Sequence, residues 1–156
     1  MRKLTFSTTI SAPKDKVWRA MLDDATYRQW TSVFQEGSYA VTDWKEGSKE
    51  LFLSPKGDGM VSRIETHRHS EFLSIEHLGI VKNGVEDTTS NEVQGWAGAH
   101  ENYTLKEVNG VSTLTVDMDS TEEYLEYFEN TWPKALNKLK EVAENDPAHR
   151  RNRAAS

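Results

Sequence analysis

The chain has 156 residues, with 19 Lys and Arg against 25 Asp and Glu, a formal charge of −6, 36% hydrophobic residues and no cysteine. That length suits one domain with a sizeable core. Lack of cysteine excludes a disulfide scaffold, a thiolate zinc site, an iron–sulfur cluster and a cysteine nucleophile, and the surplus of acid argues against a nucleic-acid binder, whose affinity comes largely from Lys and Arg on phosphates.

The first residues, MRKLTFSTTISAP, alternate rather than forming the continuous apolar run of an export signal. No stretch approaches the roughly 20 apolar residues of a membrane span. A cytoplasmic location is therefore expected. Leu4, Phe6, Thr8 and Ile10 share one face of an extended segment, the alternation of a half-buried strand. Pro13 suits the first turn of a helix, and Val17, Trp18, Met21 and Leu22 recur at helical spacing over 14–22. Asp23 or Asp24 caps a second short helix that presents Tyr27 and Trp30, with Phe34 one turn on.

From residue 38 the period becomes two. Strands are predicted near 38–45, 49–55, 59–69, 72–82, 99–108 and 111–119, broken by Gly47, the 55–59 turn, Ser70-Glu71 and Asn109-Gly110. Asn-Gly tolerates the positive φ angles of a two-residue hairpin turn. Residues 83–95 are polar and read as a long loop. Ser120-Thr121-Glu122-Glu123 has capping-box spacing. Leu125, Phe128, Trp132, Leu136, Leu139 and Val142 then form a stripe on one long helix over 121–145, which Pro133 should kink and Asn145-Asp146-Pro147 should stop.

This order defines an α+β fold: a curved antiparallel sheet of six or seven strands wrapped around a long C-terminal helix, with two short helices after the first strand. Residues 1–146 form a single domain, and 147–156, with three Arg and no acid, read as a basic disordered tail.

Ser11-Ala12-Pro13, Val17-Trp18-Arg19-Ala20-Met21-Leu22 and Tyr27-Arg28-Gln29-Trp30 resemble the entry of the START-like (SRPBCC) helix-grip superfamily. Within it, Gly59-Met60-Val61, the 73–79 strand, Glu101-Asn102-Tyr103-Thr104-Leu105 and the 132–140 helix segment are similar to the branch named after the activator of a heat-shock-protein ATPase. The resemblance spans residues 2–145. It implies a cavity between the concave sheet face and the terminal helix, used in that superfamily for small apolar or aromatic molecules. It implies no single activity, since the superfamily includes carriers, cyclases and receptors.

Hydrolase and nucleotide motifs are missing: Gly110-Val111-Ser112-Thr113-Leu114 lacks the second glycine of a nucleophile elbow, and Gly57-Asp58-Gly59 opens no helix. His67 and His69 share a strand face but read as a solvated strand end rather than a metal site, so no metal and no cofactor are expected. His77 is in phase with Leu73 and Ile75, and Glu101 with Tyr103 and Leu105. If their strands pair, imidazole and carboxylate meet in the cavity wall, either as a structural hydrogen-bonded pair or as groups that orient a ligand. Trp30, Phe34, Phe52, Trp96, Tyr103, Tyr124, Phe128 and Trp132 are more large rings than a minimal core needs. Trp132 is expected to anchor the helix to the sheet, and Trp30, Phe34 and Phe128 to line a mouth.

The leading reading is a non-enzymatic domain that binds or carries a small hydrophobic or aromatic molecule. A cyclase- or dehydratase-like enzyme with His77 and Glu101 as general acid and base is one alternative. A chaperone-associated interaction module is another. Antiparallel edge strands offer a surface for homodimer pairing, without demanding it.

Overall fold

The computed structural model of the chain describes residues 1–145; the expectation for the 147–156 tail lies outside the described residues. In chain order the elements are β1 (Arg2–Ile10), α1 (Lys14–Leu22), α2 (Asp24–Thr31), β2 (Tyr39–Val41), β3 (Lys49–Leu53), β4 (Gly59–Arg68), β5 (Phe72–Lys82), β6 (Val85–Asp87), α3 (Asn91–Gln94), β7 (His100–Val108), β8 (Val111–Ser120) and α4 (Leu125–Glu144). The strands form one antiparallel sheet in the order β1-β8-β7-β5-β4-β3-β2, with β6 added to β5. This is the expected α+β arrangement with a long terminal helix.

The sheet has eight strands rather than six or seven. The additional strand is β6, within the segment read as loop. Asn83 and Gly84 both take positive φ (52° and 77°), as do Asn109 and Gly110 (51° and 81°), so the two Asn-Gly pairs make hairpin turns of the same kind. The β6 backbone passes close to β5 because position 79 is glycine: a Cβ there would lie 2.0 Å from the Asp87 carbonyl oxygen. α3 follows, capped where the Ser90 hydroxyl accepts from the Val93 N–H.

Two boundaries also differ. β2 covers three residues of the predicted 38–45. After Val41 the Thr42 and Asp43 side chains accept from the Trp44 and Lys45 N–H groups, and this local bonding replaces the ladder. Ser120 does not cap the last helix, because it is held in the β1–β8 ladder opposite Arg2. The chain instead enters α4 through a tight turn at Glu122–Tyr124.

α4 runs as helix through Pro133, which lies on its exposed side, and packs on β1, α1 and α2. Trp132 is its anchor. The ring stacks on Phe6 of β1 and meets Trp30, Phe34 edge-on and Tyr103 of β7. Around it Ile10, Trp18, Leu73, Leu114 and Leu139 are fully buried. Each such side chain removes from water enough apolar surface to contribute about 1.5–3 kcal/mol, which is what holds an amphipathic helix that would be marginal alone.

Candidate functional site

The site begins with a row across the sheet. Glu50 of β3 is the direct partner of Ser62 on β4, and Ser62 is the partner of His77 on β5. Directly opposed residues point to the same face, so one buried face receives a carboxyl, a hydroxyl and an imidazole side by side. The β4–β5 register slips between Val61/Ser62, where Leu78 is the extra residue. Such a bulge bends its strand and re-aims side chains, and here it brings His77 opposite Ser62. Beyond the bulge the His77 N–H donates to Ala99 O at 2.8 Å, and the Gly98 N–H donates to His77 O at 2.9 Å. β5 is thereby tied to β7 at the level of Glu101.

The pairing expected of His77 and Glu101 is present. His77 Nε2 lies 3.2 Å from Glu101 Oε1, and His77 Nδ1 lies 2.7 Å from Ser62 Oγ. The Tyr103 hydroxyl donates to the other Glu101 oxygen, Oε2. A carboxylate only accepts, so Nε2 carries a proton toward Glu101, and Nδ1 is free to accept from the Ser62 hydroxyl. Burial and the adjacent Glu101 charge push the Tyr103 phenol well above its ordinary range, so it remains a donor.

Glu50 was not among the expected site residues. It is 0% exposed, and neither of its carboxyl oxygens has a hydrogen-bond partner. Burial, and secondarily the Glu101 charge, hold its carboxyl well above the usual carboxylate range. Its proton is therefore held to higher pH than that of an exposed carboxyl. Tyr27 of α2 covers this group: its ring stacks on Phe52 at 6.4 Å, Phe52 meets the His77 ring edge-on at 5.9 Å, and the Tyr27 phenol is pushed up by burial and by both Glu50 and Glu101. A signal for Glu50 existed in the sequence, because it sits two residues before Phe52 on the same strand face.

The aromatic candidates divide. Phe52 and Tyr103 touch the polar cluster. Trp132, Trp30 and Phe34 form the adjoining aromatic layer, but Trp30 is buried, its Nε1 donating to Met21 O at 3.1 Å, and so lines no mouth. Tyr124 is 51% exposed, and with half-buried Phe128 it lies at the outer end of α4. Trp96 sits half-buried in the turn after α3, and among the described residues no ring contact joins it to the others. Of the two histidines expected at a solvated strand end, His69 is exposed, whereas His67 is half-buried and bonded through both ring nitrogens: Trp18 Nε1 donates to its Nε2 at 3.2 Å, and its Nδ1 meets Trp44 O at 2.6 Å. The two bonds fix the tautomer with the proton on Nδ1. Among the described residues no three His, Asp or Glu side chains converge as a metal cage.

Two surface clefts flank the site. One, of about 210 Å³, runs between β1 and α4 past Phe6, Thr8, Pro133 and Leu136. The other, of about 290 Å³, lies between the α1–α2 turn and β2, with Tyr27 in its wall. None of the ten sequence-derived site residues lines either cleft.

A family model described as Activator of Hsp90 ATPase homolog 1-like protein matches residues 11–144. No curated protein matches the chain in sequence. Among solved structures, protein MLL2253 from Mesorhizobium loti superposes with a TM-score of 0.73 at 13% identity, over 93% of this chain and 98% of that one. The Aha1 dimer from Colwellia psychrerythraea is similar with a TM-score of 0.68 at 15% identity, over 94% and 99%. CalU16 from Micromonospora echinospora gives 0.64 at 19% identity, over 96% and 80%. At such identities the likeness is one of fold.

Proposed function

The chain belongs to the Activator of Hsp90 ATPase homolog 1-like family, and from that premise we propose that it binds a small molecule with an apolar or aromatic body and a polar end. The binding space lies between the sheet and the helices that cover it. One observation carries the reading: both sides of this interface hold a buried polar group with no partner. On the sheet side these are the Glu50 carboxyl oxygens, and on the helix side Trp132 Nε1.

An unmet buried polar group costs about 1–3 kcal/mol, so such groups are rare and their pairing here asks for a purpose. The remaining unpartnered atoms, Asn102 Oδ1 and Thr121 Oγ1, belong to half-exposed residues away from this face. Between the unmet groups lie Tyr103, which touches Trp132, and the His77–Glu101 pair to which Tyr103 is bonded. Apolar walls with a few convergent polar groups are the composition of small-molecule sites. The geometry favours binding over turnover. His77 and Glu101 satisfy each other and their neighbours, which fixes them as an orienting pair rather than an acid and base poised for a substrate.

Native mass spectrometry of the protein purified without denaturation tests this. The expected result is a second species, heavier by a small molecule, that Trp132→Ala and Glu50→Leu diminish. A spectrum of the bare chain from every host tried would overturn the proposal.

A further inference from the structure

Resting on that reading, we infer that the bound molecule is an organic cation, an amine or another protonated nitrogen base on an apolar body, which enters by the cleft between the α1–α2 turn and β2 and is held by Glu50 beneath Tyr27. The cleft of about 290 Å³ is lined by Leu22, Asp23, Asp24, Tyr27, Ala40 and Trp44 among others. Its rim is acidic and its walls are aromatic or apolar. Asp24 is neutralised by Arg28 at 3.0 Å, leaving Asp23 as the rim carboxylate. Exposed carboxylates draw cations toward such a mouth, and Tyr27 and Trp44, packed together with centroids 6.0 Å apart, give its wall the aromatic surface on which a cation can rest.

Tyr27 belongs to both the cleft and the interior. It lines the cleft, is 7% exposed, and stacks on Phe52 over the buried row. Its movement is what would connect the cleft with Glu50. The groups facing Glu50 are Tyr27 from α2, Ser62 from β4, His77 from β5, and Glu101 and Tyr103 from β7. Among the described residues no Lys or Arg bonds to Glu50.

This inventory selects the ligand. An anion would meet two carboxyl groups. A purely apolar molecule would leave Glu50 unmet. A protonated nitrogen supplies partner and countercharge to a carboxyl whose two oxygens have none, and the ion pair forms where aromatic rings exclude water. His77 and Tyr103 keep Glu101 occupied, which leaves Glu50 as the group open to a visitor. The charge balance is explicit: an ammonium ion enters, Glu50 sheds to solvent the carboxyl proton in those molecules that carry one, and a carboxylate–ammonium pair remains. Binding therefore releases protons to the extent that Glu50 holds them in the free protein.

The test uses 1-naphthylmethylamine and its neutral isostere 1-naphthylmethanol, titrated calorimetrically into the protein at pH 7 in two buffers of different ionisation enthalpy. The amine is expected to bind on the order of tenfold tighter than the alcohol and to release protons that the alcohol does not. In Glu50→Gln the preference for the amine over the alcohol and the proton release should both vanish. Should Glu50→Gln fail to fold, Glu50→Asp, which withdraws the carboxyl by one methylene, should weaken the amine selectively. Equal binding of the two probes overturns the cation inference and leaves the small-molecule reading standing. An amine preference that survives in Glu50→Gln overturns the role of Glu50. Binding of neither probe also overturns the inference, and co-purification of a ligand then judges the broader reading separately.

Discussion

Glu101 Oε1 stands 3.2 Å from His77 Nε2 across the β5–β7 pair, while Oε2 of the same residue accepts from the Tyr103 hydroxyl. One carboxylate thus holds an imidazole and a phenol, and the imidazole passes the network on to Ser62. The network is buried, so its members are coupled in energy as well as position. His77→Ala leaves Glu101 one donor short and Ser62 without its partner. It should cost about 1–3 kcal/mol, read as a lower urea midpoint at unchanged slope. The double variant His77→Ala/Glu101→Gln should lose less than the two single losses added together. Strict additivity would show that the contact contributes nothing as a pair.

Glu50 makes stability depend on pH in a direction opposite to a salt-bridged carboxylate. Its folded-state pKa is raised, first by burial and then by the Glu101 charge. Between the ordinary carboxylate range and that raised value the folded chain holds a proton the unfolded chain has lost. Stability from this group is fully present below the unfolded pKa of about 4.3 and declines as pH rises through the window above it. Glu50→Gln stays neutral at every pH and removes the decline. Urea melts at pH 5 and pH 8 should show the variant gaining on the parent protein as pH rises. A constant difference between the two would mean that Glu50 is already ionised in the fold.

The difference between Glu50 and His77 shows where sequence reasoning stops. His77 follows Leu73 and Ile75 at even spacing, and an imidazole in such a run is readily placed on the buried face. Glu50 stands at the same spacing from Phe52, yet nothing sets apart a glutamate after Lys49 at the head of a strand, because ionised carboxylates are almost never fully buried. Only the register Glu50–Ser62–His77, set by two tertiary pairings and a bulge, reveals the row. The long helix, by contrast, was legible from its stripe alone, and Trp132 lies at its centre as the periodicity predicts. Trp30 is buried where a mouth is expected, because helical spacing gives the facing direction but not what lies opposite. Here Met21 O and the Trp132 ring lie opposite and close it in.

The two core tryptophans on α2 and α4 offer an internal comparison. Trp30 Nε1 donates to Met21 O, while Trp132 Nε1 has no partner. Both rings are 3% exposed, so Phe in either place removes a similar volume from a similar environment. The hydrogen bond then decides the difference. Trp30→Phe should destabilise the ligand-free protein by about 1 kcal/mol more than Trp132→Phe, whereas Trp132→Ala should cost about 3–5 kcal/mol through the cavity it leaves. Thermal and urea unfolding of the three variants check the order. Equal losses for the two Phe variants would indicate that Trp132 Nε1 is satisfied in solution.

β6 depends on one missing methyl group. The β5–β6 hairpin turns on Asn83-Gly84 and pairs Ile80 with Asp87, Val81 with Glu86 and Lys82 with Val85. Opposite Gly79 the Asp87 carbonyl oxygen would lie 2.0 Å from any Cβ, and the atoms met are backbone, which cannot swing aside. Gly79→Ala should therefore push β6 off the sheet rather than unfold the domain. The central β4–β5 and β7–β8 pairings are distant from the clash and remain. Hydrogen exchange should accelerate at the β6 amides and their β5 partners while the amides of β7 and β8 keep their protection. Proteolysis should also appear within 83–90, since a detached strand of three residues has no core contact to retain it. Loss of protection across the whole sheet would mean instead that β6 is needed for the fold to close.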